Sequence, residues 1–369
     1  MKLLHTADLH LGMKFAGYPT VREELTEARF RCLERLVETA NRENCDLFAL
    51  AGDLFDRITV AHRDIIRTAG ILDRFEGKLV LVLPGNHDYR APGQEEPWGA
   101  FVREGGDRLL LLDEKKKYDL KHFDLDMVVY PAPCHAKHSR ENALGWIEDA
   151  AADSASLRLG LAHGSLEGLS PDFDGRFYPM TVKELEETGL DCWLLGHTHI
   201  PYPAKPGPRD RIFYSSTPEP DGFDCRHPGH AWLIEIGEDK TIRPTLLTTG
   251  QYRFLHDRRV LGKEQDLARL LEDYAGPGAE KKLVKLKLEG RLPSALFSRI
   301  GEVREKLAEN LFYLSWDTGE LSEEITREMI EKQFTEGSFP FRLLSRLAED
   351  GTDPEALQIA YHLIEEAKK

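Results

Sequence analysis

The stretch "KLVLVLPGNHD", residues 78–88, opens on an apolar run that reads as a buried β-strand and then breaks into Gly85, Asn86, His87 and Asp88. Pro84 and Gly85 punctuate the chain, and Asn86 and Asp88 tolerate turn geometry, so a simple turn accounts for this segment taken alone. The other strands decide between a turn and a site. "LLHTADLH" (3–10) delivers Asp8 and His10, "LFALAGD" (47–53) delivers Asp53, "LGLAHG" (159–164) delivers His163, and "WLLGHTH" (193–199) delivers His197 and His199. Five apolar strands therefore end in metal-capable side chains. In sheets with helical connections, ligand sites gather outside the carboxyl ends of the strands, so these residues are placed to converge.

Between the expected strands at 2–6 and 46–51, Leu25, Leu33, Leu36, Val37 and Ala40 recur at helical spacing, and a second helix is expected near 60–75. Further on, "RLLLLD", "MVVYPAP", "RLGLAHG", "CWLLGHTH", "RIFYSS" and "HAWLIEIG" are short strands, several without room for a helix between them. Strand–helix alternation followed by strand-rich sequence predicts an α/β fold over residues 1–250, with two packed sheets and helices outside. Residues 251–320 read as a β-α-β-α-β series, a small α+β domain with Gly276 and Gly278 at an internal turn.

Residues 321–369 read as a helical tail. Ser322 is expected to cap a helix with Glu323 and Glu324 in its first turn, and Asp353 before Pro354 to start another. Phe341, Leu344 and Leu347, ended by Gly351, and then Leu357, Ala360, Tyr361 and Ile364 predict a helical hairpin with an apolar stripe. Such a stripe serves helix-mediated docking of a partner or folds back onto its own domain.

The 369 residues carry a formal net charge of −15, which argues against a free-standing DNA clamp, because such binding draws on Lys and Arg neutralising phosphates. Nucleic-acid chemistry then calls for metal ions, a local basic surface or a partner. The five cysteines are scattered and never paired as Cys-x-x-Cys, so neither a disulfide framework nor a zinc ribbon is expected. The opening "MKLLHTADLH" lacks the pattern of a signal peptide, and no apolar run is long enough to span a bilayer, so a cytoplasmic protein without membrane contact is expected.

Carboxylates, an amide oxygen and imidazoles together suit divalent ions such as manganese, iron or zinc, with Asp53 placed to bridge two of them. Two ions about 3.5–4 Å apart lower the pKa of a water and clamp the attacking and leaving oxygens of an in-line displacement at phosphorus. Each residue has an ordinary alternative: a His at a strand end is commonly a packing residue, and Asp53 after Gly52 fits a turn. The joint pattern favours the metals, since Asp8/His10 and His197/His199 are each spaced by two and share one side of an extended segment.

"DLHLG", "GDLFD", "GNHD", "AHGS" and "GHTH", in this order across residues 8–199, resemble the calcineurin-like metallophosphoesterase family. "GDLFD" and the later "STPEPDGFD" resemble its nuclease branch, which contains SbcD and the YhaO-type exonucleases. The resemblance implies a four-layer α/β/β/α metallophosphoesterase sandwich, a small capping domain, and C-terminal helices that dock an SMC-like ATPase. It implies one metal on Asp8, His10, Asp53 and His199 and another on Asp53, Asn86, His163 and His197. His87 matches the family's catalytic His, which steadies the phosphate and protonates the leaving 3′ oxygen, with Asp88 expected to orient it. The implied enzyme is a manganese-dependent DNA exonuclease or endonuclease of double-strand break repair, acting as a homodimer. One departure stands out: many relatives place a Gly before the Ser/Thr of the later motif, where this chain reads Ser215, Ser216, Thr217.

Lys285 and Lys287 share one face of an expected strand, with Lys281, Lys282 and Arg291 nearby, and residues 256–317 carry 12 basic and 11 acidic residues. They offer a track for a DNA backbone, or else guard a solvated edge strand. Asp56 fits a salt bridge or helix start as well as the site, and the remaining histidines, including His5, His227 and His230, read as ordinary polar or packing residues. A phosphodiesterase or phosphatase for a small molecule such as a cyclic nucleotide would use the same metals. The region after residue 250 favours the nuclease, because a small-molecule enzyme needs no such cap and tail. A non-catalytic scaffold would show gaps among the ligands, and the motifs show none.

Overall fold

In the computed structural model, which describes residues 1–91, 93, 97–147, 150, 153–350 and 354–367, the apolar runs of the first half become strands covered on both faces. The chain passes through β1 (Lys2–Thr6), α1 (Arg22–Arg42), β2 (Leu47–Ala51), α2 (His62–Leu72), β3 (Leu79–Leu83), α3 (Trp98–Glu104) and β4 (Leu109–Leu111). It continues through β5 (Tyr118–Asp119), β6 (Met127–Ala132), β7 (Leu157–His163), α4 (Val182–Glu187), β8 (Cys192–Gly196), β9 (Ile212–Tyr214), β10 (His230–Ile236) and β11 (Ile242–Thr248). One sheet has the order β11-β10-β1-β2-β3-β4 and the other β5-β6-β7-β8-β9. Strands β1 to β4 pair in parallel, as do β6 to β9, so within each set the carboxyl ends lie on one edge.

Alternation along β2 shows how the layers form. Phe48 and Leu50 face the helices, where Phe30, Leu33, Leu36 and Val37 of α1 meet Ile65 of α2 and Trp98 of α3. Leu47 and Ala49 face the other way, into a core shared by Leu79 and Leu81 with Val129, Leu159, Leu161 and Leu194 of the second sheet. Beyond that sheet, Trp193, Leu195 and Tyr214 pack on Leu185 of α4 and on Tyr178 and Met180. The four-layer α/β/β/α arrangement is present, its fourth layer made, among the described residues, mainly of the six-residue α4 and loop. His5 lies between the sheets with Nε2 at 3.2 Å from the Leu195 carbonyl and 3.1 Å from that of Phe213. Burial pushes its pKa down to about 4, so a neutral imidazole ties the sheets together. The polar sequence of β11 hid it as a strand; it sits at a sheet edge, where Pro244 has no ladder bond to lose.

Contacts separate Met1–Phe254 from Leu255–Lys369. The second unit is built on β12 (Arg253–Leu261), α5 (Glu264–Tyr274), β13 (Lys282–Leu292), α6 (Ser294–Phe297), α7 (Ile300–Asn310) and β14 (Tyr313–Glu323), followed by α8 (Arg327–Gln333), α9 (Phe339–Asp350) and α10 (Pro354–Ala367). Leu267, Leu270, Val303 and Leu307 cover Val284, Leu286 and Leu288. The sheet order is β12-β13-β14, which overturns the edge-strand alternative for the lysines: β13 is central.

Ser322 does not cap a helix. It lies within β14 opposite Arg291 of β13, and the helix begins after Thr326, whose hydroxyl accepts from the Met329 amide at 3.3 Å. A strand ladder that runs to Glu323 takes the backbone a cap would need. Gly351 and Asp353 lie outside the described residues. The tail's stripe closes on itself: Leu344 and Leu357 are buried with Ile330 and Phe334 of the α8 segment, and Phe341, Leu347, Ala360, Tyr361 and Ile364 pack around them. No helix among the described residues is long and apolar enough to cross a membrane.

Candidate metal centre

Asp8 and His10 follow β1, Asp53 follows β2, Asn86 and His87 follow β3, His163 ends β7, and His197 and His199 follow β8. Asp8 (φ 56°), His10 (45°), Asp53 (51°) and His197 (102°) all adopt left-handed backbone, which side-chain-bearing residues avoid and which clusters at functional sites. The turns are stitched together: the Asp8 amide donates to the Gly52 carbonyl at 3.1 Å and the His10 amide to that of Asp53 at 2.9 Å. Two glycines let the loops close. A Cβ on Gly52 would sit 2.1 Å from His163 Nδ1, and one on Gly85 would sit 2.2 Å from Asp53 Oδ1.

His163 Nδ1 donates to the Ala51 carbonyl at 2.9 Å, which turns Nε2 toward Asn86 Oδ1 at 2.9 Å and Asp53 Oδ2 at 3.4 Å. His197 Nδ1 reaches the same Asn86 oxygen at 2.9 Å. On the other side of Asp53, His10 Nε2 lies 3.7 Å from Asp53 Oδ2 and 3.3 Å from His199 Nε2, which is 3.9 Å from Asp8 Oδ1. The seven expected ligands converge here, with Asp8, His10 and His199 in one close group and Asp8, Asp53 and His163 in another.

Electrostatics support a cationic occupant. Burial opposes charge on His163, but Asp53 outweighs it and pushes the pKa up to about 9. Burial likewise opposes charge on His199, where Asp221 and Asp8 raise the pKa to about 9. Burial instead holds His10 well below its ordinary value and takes His197 down to about 3. Burial works against the Asp53 charge too, yet His163 holds that carboxyl far below the usual range. Buried acceptors crowded this closely require protons or a cation among them, and metal binding displaces such protons. Among the described residues, His10 Nδ1 and Asn86 Nδ2 are buried without a hydrogen-bond partner. Oxygen and imidazole donors in this mixture fit divalent first-row ions.

His87 is tied in from two sides: its amide donates to Asp53 Oδ1 at 2.8 Å and its Nδ1 to the Asp56 carbonyl at 3.2 Å. That fixes the tautomer and leaves Nε2 as the reactive nitrogen. The expectation that Asp88 orients His87 is corrected. The buried Asp88 carboxylate accepts from the Gly85 amide at 2.7 Å and the Phe55 amide at 2.9 Å, so it clamps the loop while the Asp56 backbone orients the imidazole. Asp56 makes the salt bridge expected of it, one oxygen lying 2.6 Å from Arg57, while its other oxygen stands 4.0 Å from His10 Nδ1.

Sequence reasoning missed Asp221, whose Oδ2 accepts from His199 Nδ1 at 3.0 Å and lies 3.9 Å from the buried Arg29. The "PEPDGFD" stretch held the signal, an acid beside a glycine after an apolar strand. His227, read as ordinary, places Nε2 2.5 Å from the His199 carbonyl and so braces the same residue. Ser216 adopts φ 64°, keeping the backbone shape a glycine serves best, while Thr217 Oγ1 donates to the Asp8 carbonyl at 2.9 Å. A cleft of about 360 Å³ opens beside Asp53, His87, His197 and His199. In the second unit Lys285 is exposed, Lys287 pairs with Glu320, and Lys282 Nζ lies 3.5 Å from the Asp273 carbonyl.

The chain is 30% identical over 210 residues to the uncharacterized metallophosphoesterase YhaO of Bacillus subtilis (strain 168), covering 54% of this chain and 48% of that protein. It is 24% identical over 235 residues to the DNA double-strand break repair protein Mre11 of Methanopyrus kandleri, covering 60% of this chain and 50% of that protein. The crystal structure of TT1561 from Thermus thermophilus aligns with a TM-score of 0.40 at 12% identity, over 66% of this chain and 97% of that one. The chain spans about half the length of the curated relatives it matches. The calcineurin-like phosphoesterase model matches residues 1–201, more than half of the chain, and the chain belongs to that family.

Proposed function

We propose that the chain is a two-metal phosphodiesterase acting on DNA, a manganese-dependent exonuclease or endonuclease of strand-break repair. The observation that carries the reading is the pair of donor sets sharing Asp53, with His87 beside them and its Nδ1 already committed to a backbone carbonyl. Asp8, His10, Asp53 and His199 would hold one ion, and Asp53, Asn86, His163 and His197 the other. Bound there, such ions supply Lewis-acid polarisation of a phosphoryl oxygen and acidify a water. The chain's own contribution is positional. Asp221 keeps His199 Nε2 turned inward, Ala51 does the same for His163, and the imidazolium of His87 can give its Nε2 proton to the leaving oxygen.

Similarity to a double-strand break repair protein supports DNA as the substrate. An SMC-like ATPase is the partner we propose for the tail, whose Phe339, Ile359 and Leu363 remain exposed after its stripe is covered. A homodimer is proposed by the same family analogy. A second reading, hydrolysis of a small diester such as a cyclic nucleotide, draws on the size of the cleft beside the ligands, about 360 Å³.

The test compares wild type, His87→Ala and Asp53→Ala on labelled single- and double-stranded DNA, cyclic nucleotides and bis-p-nitrophenyl phosphate, with manganese supplied. His87→Ala should lose about 10²–10⁴-fold in rate while still binding metal, and Asp53→Ala should lose both. Turnover of cyclic nucleotides with no cleavage of either DNA refutes the nuclease reading.

A further inference from the structure

The loop from Ser165 to Met180 leaves the end of β7 and is fastened to the metal centre. The Asp172 carboxylate accepts from the Arg176 amide at 3.0 Å, the Phe177 amide at 2.9 Å and the Ser165 hydroxyl at 2.9 Å. The Ser170 hydroxyl bonds to that of Thr198, the residue between His197 and His199. Phe177 brings its ring to 5.0 Å from that of His197. The loop is thus fastened on both sides of its tip, at Ser170, Asp172 and Phe177.

At its tip Phe173 is 97% exposed, ahead of every other large apolar side chain among the described residues, of which Phe339 follows at 75%. A phenyl ring in water forgoes the stabilisation that burial brings, so nothing in the fold accounts for it. Ser170, Pro171 and Asp172 line the metal cleft on one side and, on the other, an adjoining depression of about 1040 Å³ that Phe173 also lines. The loop is therefore a ridge between the reaction site and a second groove, with an aromatic ring standing on it.

We propose that Phe173 is a base-stacking residue: a nucleic-acid strand whose phosphodiester lies at the metals crosses the Ser170–Asp172 ridge, and one of its bases stacks on the ring. This rests on the nucleic-acid reading of the site. Aromatic side chains stack on any base, so the contact holds and registers the strand without selecting sequence. It is a binding and positioning role, felt in KM more than in kcat.

The experiment uses the full chain as wild type, Phe173→Ala and Phe173→Trp, with manganese. Substrates are single-stranded oligonucleotides carrying one abasic residue walked along the strand, and bis-p-nitrophenyl phosphate, which has no base. Phe173→Ala should raise KM for the intact oligonucleotide roughly five- to a hundredfold and leave the small diester unaffected, with Trp restoring binding. At one position the abasic residue should cost wild type the same factor and the Ala variant nothing. Independent multiplication of the two effects at every position overturns the inference, as does parallel loss on the small diester. If wild type cleaves oligonucleotides and Phe173→Ala cleaves them equally, this inference alone falls. If wild type hydrolyses the small diester and no oligonucleotide, the nuclease reading falls and carries this one with it.

Discussion

Replacing Asp221 by Asn and by Ala separates two things the carboxylate does for His199. Its Oδ2 accepts the Nδ1 proton at 3.0 Å, which holds Nε2 toward Asp8 and His10 and makes that nitrogen a stronger donor. Asn keeps an oxygen at the same reach without the charge, whereas Ala removes both. A charge-assisted hydrogen bond contributes about 1.5–3 kcal/mol, and about 1.4 kcal/mol corresponds to tenfold in an equilibrium constant. The Ala variant should therefore bind one of two ions about 100-fold more weakly, and the Asn variant about 10-fold, within the range known for such supporting groups. Calorimetric titration of the metal-stripped protein with manganese reads this directly, since only the step involving His199 should move. Thermal melts report separately on Arg29, which is 1% exposed, lies 3.9 Å from Asp221, and otherwise donates to the Leu9 and Glu219 carbonyls. If both variants bind two ions within twofold of wild type, His199 is not held by Asp221 and the assignment fails.

Gly52→Ala places a Cβ 2.1 Å from His163 Nδ1 on backbone at φ 93°. Left-handed strain of about 1–2 kcal/mol adds to an overpacking cost of about 1–3 kcal/mol, so the melting temperature and the phosphodiesterase rate should both fall, and wild-type values for both would contradict the packing described. Asp191 accepts from the Arg158 amide at 2.8 Å, from Arg158 Nη2 at 2.9 Å and from Lys240 Nζ at 3.0 Å. Burial works against its charge, but Arg158 and Lys240 outweigh this and hold the carboxyl below its ordinary 3.8. Because the folded pKa is depressed, the stabilisation is complete above the unfolded value and is lost as pH falls through the folded one. Asp191→Asn should thus cost about 1–3 kcal/mol in urea titrations at pH 7, and the gap should narrow as the pH is taken below 3.8; a gap that stays constant sinks the linkage.

The seven residues proposed as ligands were legible because each closes or follows a run of apolar residues long enough to be a strand, and parallel strands align their ends. Asp221 escaped because it lies seven residues beyond the end of β9, so the apolar strand that could have pointed to it does not lead directly into it. Asp88 misled through adjacency, since the chain bends at residues 86–88 and its carboxylate turns to the Phe55 and Gly85 amides while His87 turns to Asp56. Ser322 misled because a good capping residue followed by acids is a local signal, whereas the pairing of β14 with β13 through Glu323 is not local at all. The left-handed residues Asp8 and His10 stand where a glycine would have announced the turn.

The charge of the chain bears on how the proposed substrate is held. At a formal −15, the surface concentrates divalent cations and repels a polyanion. The basic residues that would answer phosphates in the second unit are partly spent internally, Lys287 on Glu320 and Arg258 on Glu289 and Glu320. Binding built on Lys and Arg falls steeply with salt, and this chain has little of it to lose. A stacking contact depends on neither charge nor sequence. On the proposed nuclease reading, a loop that stands a phenyl ring at the rim of the metal cleft would supply the kind of affinity that surface electrostatics deny, and it would leave the phosphate itself to the centre at Asp53.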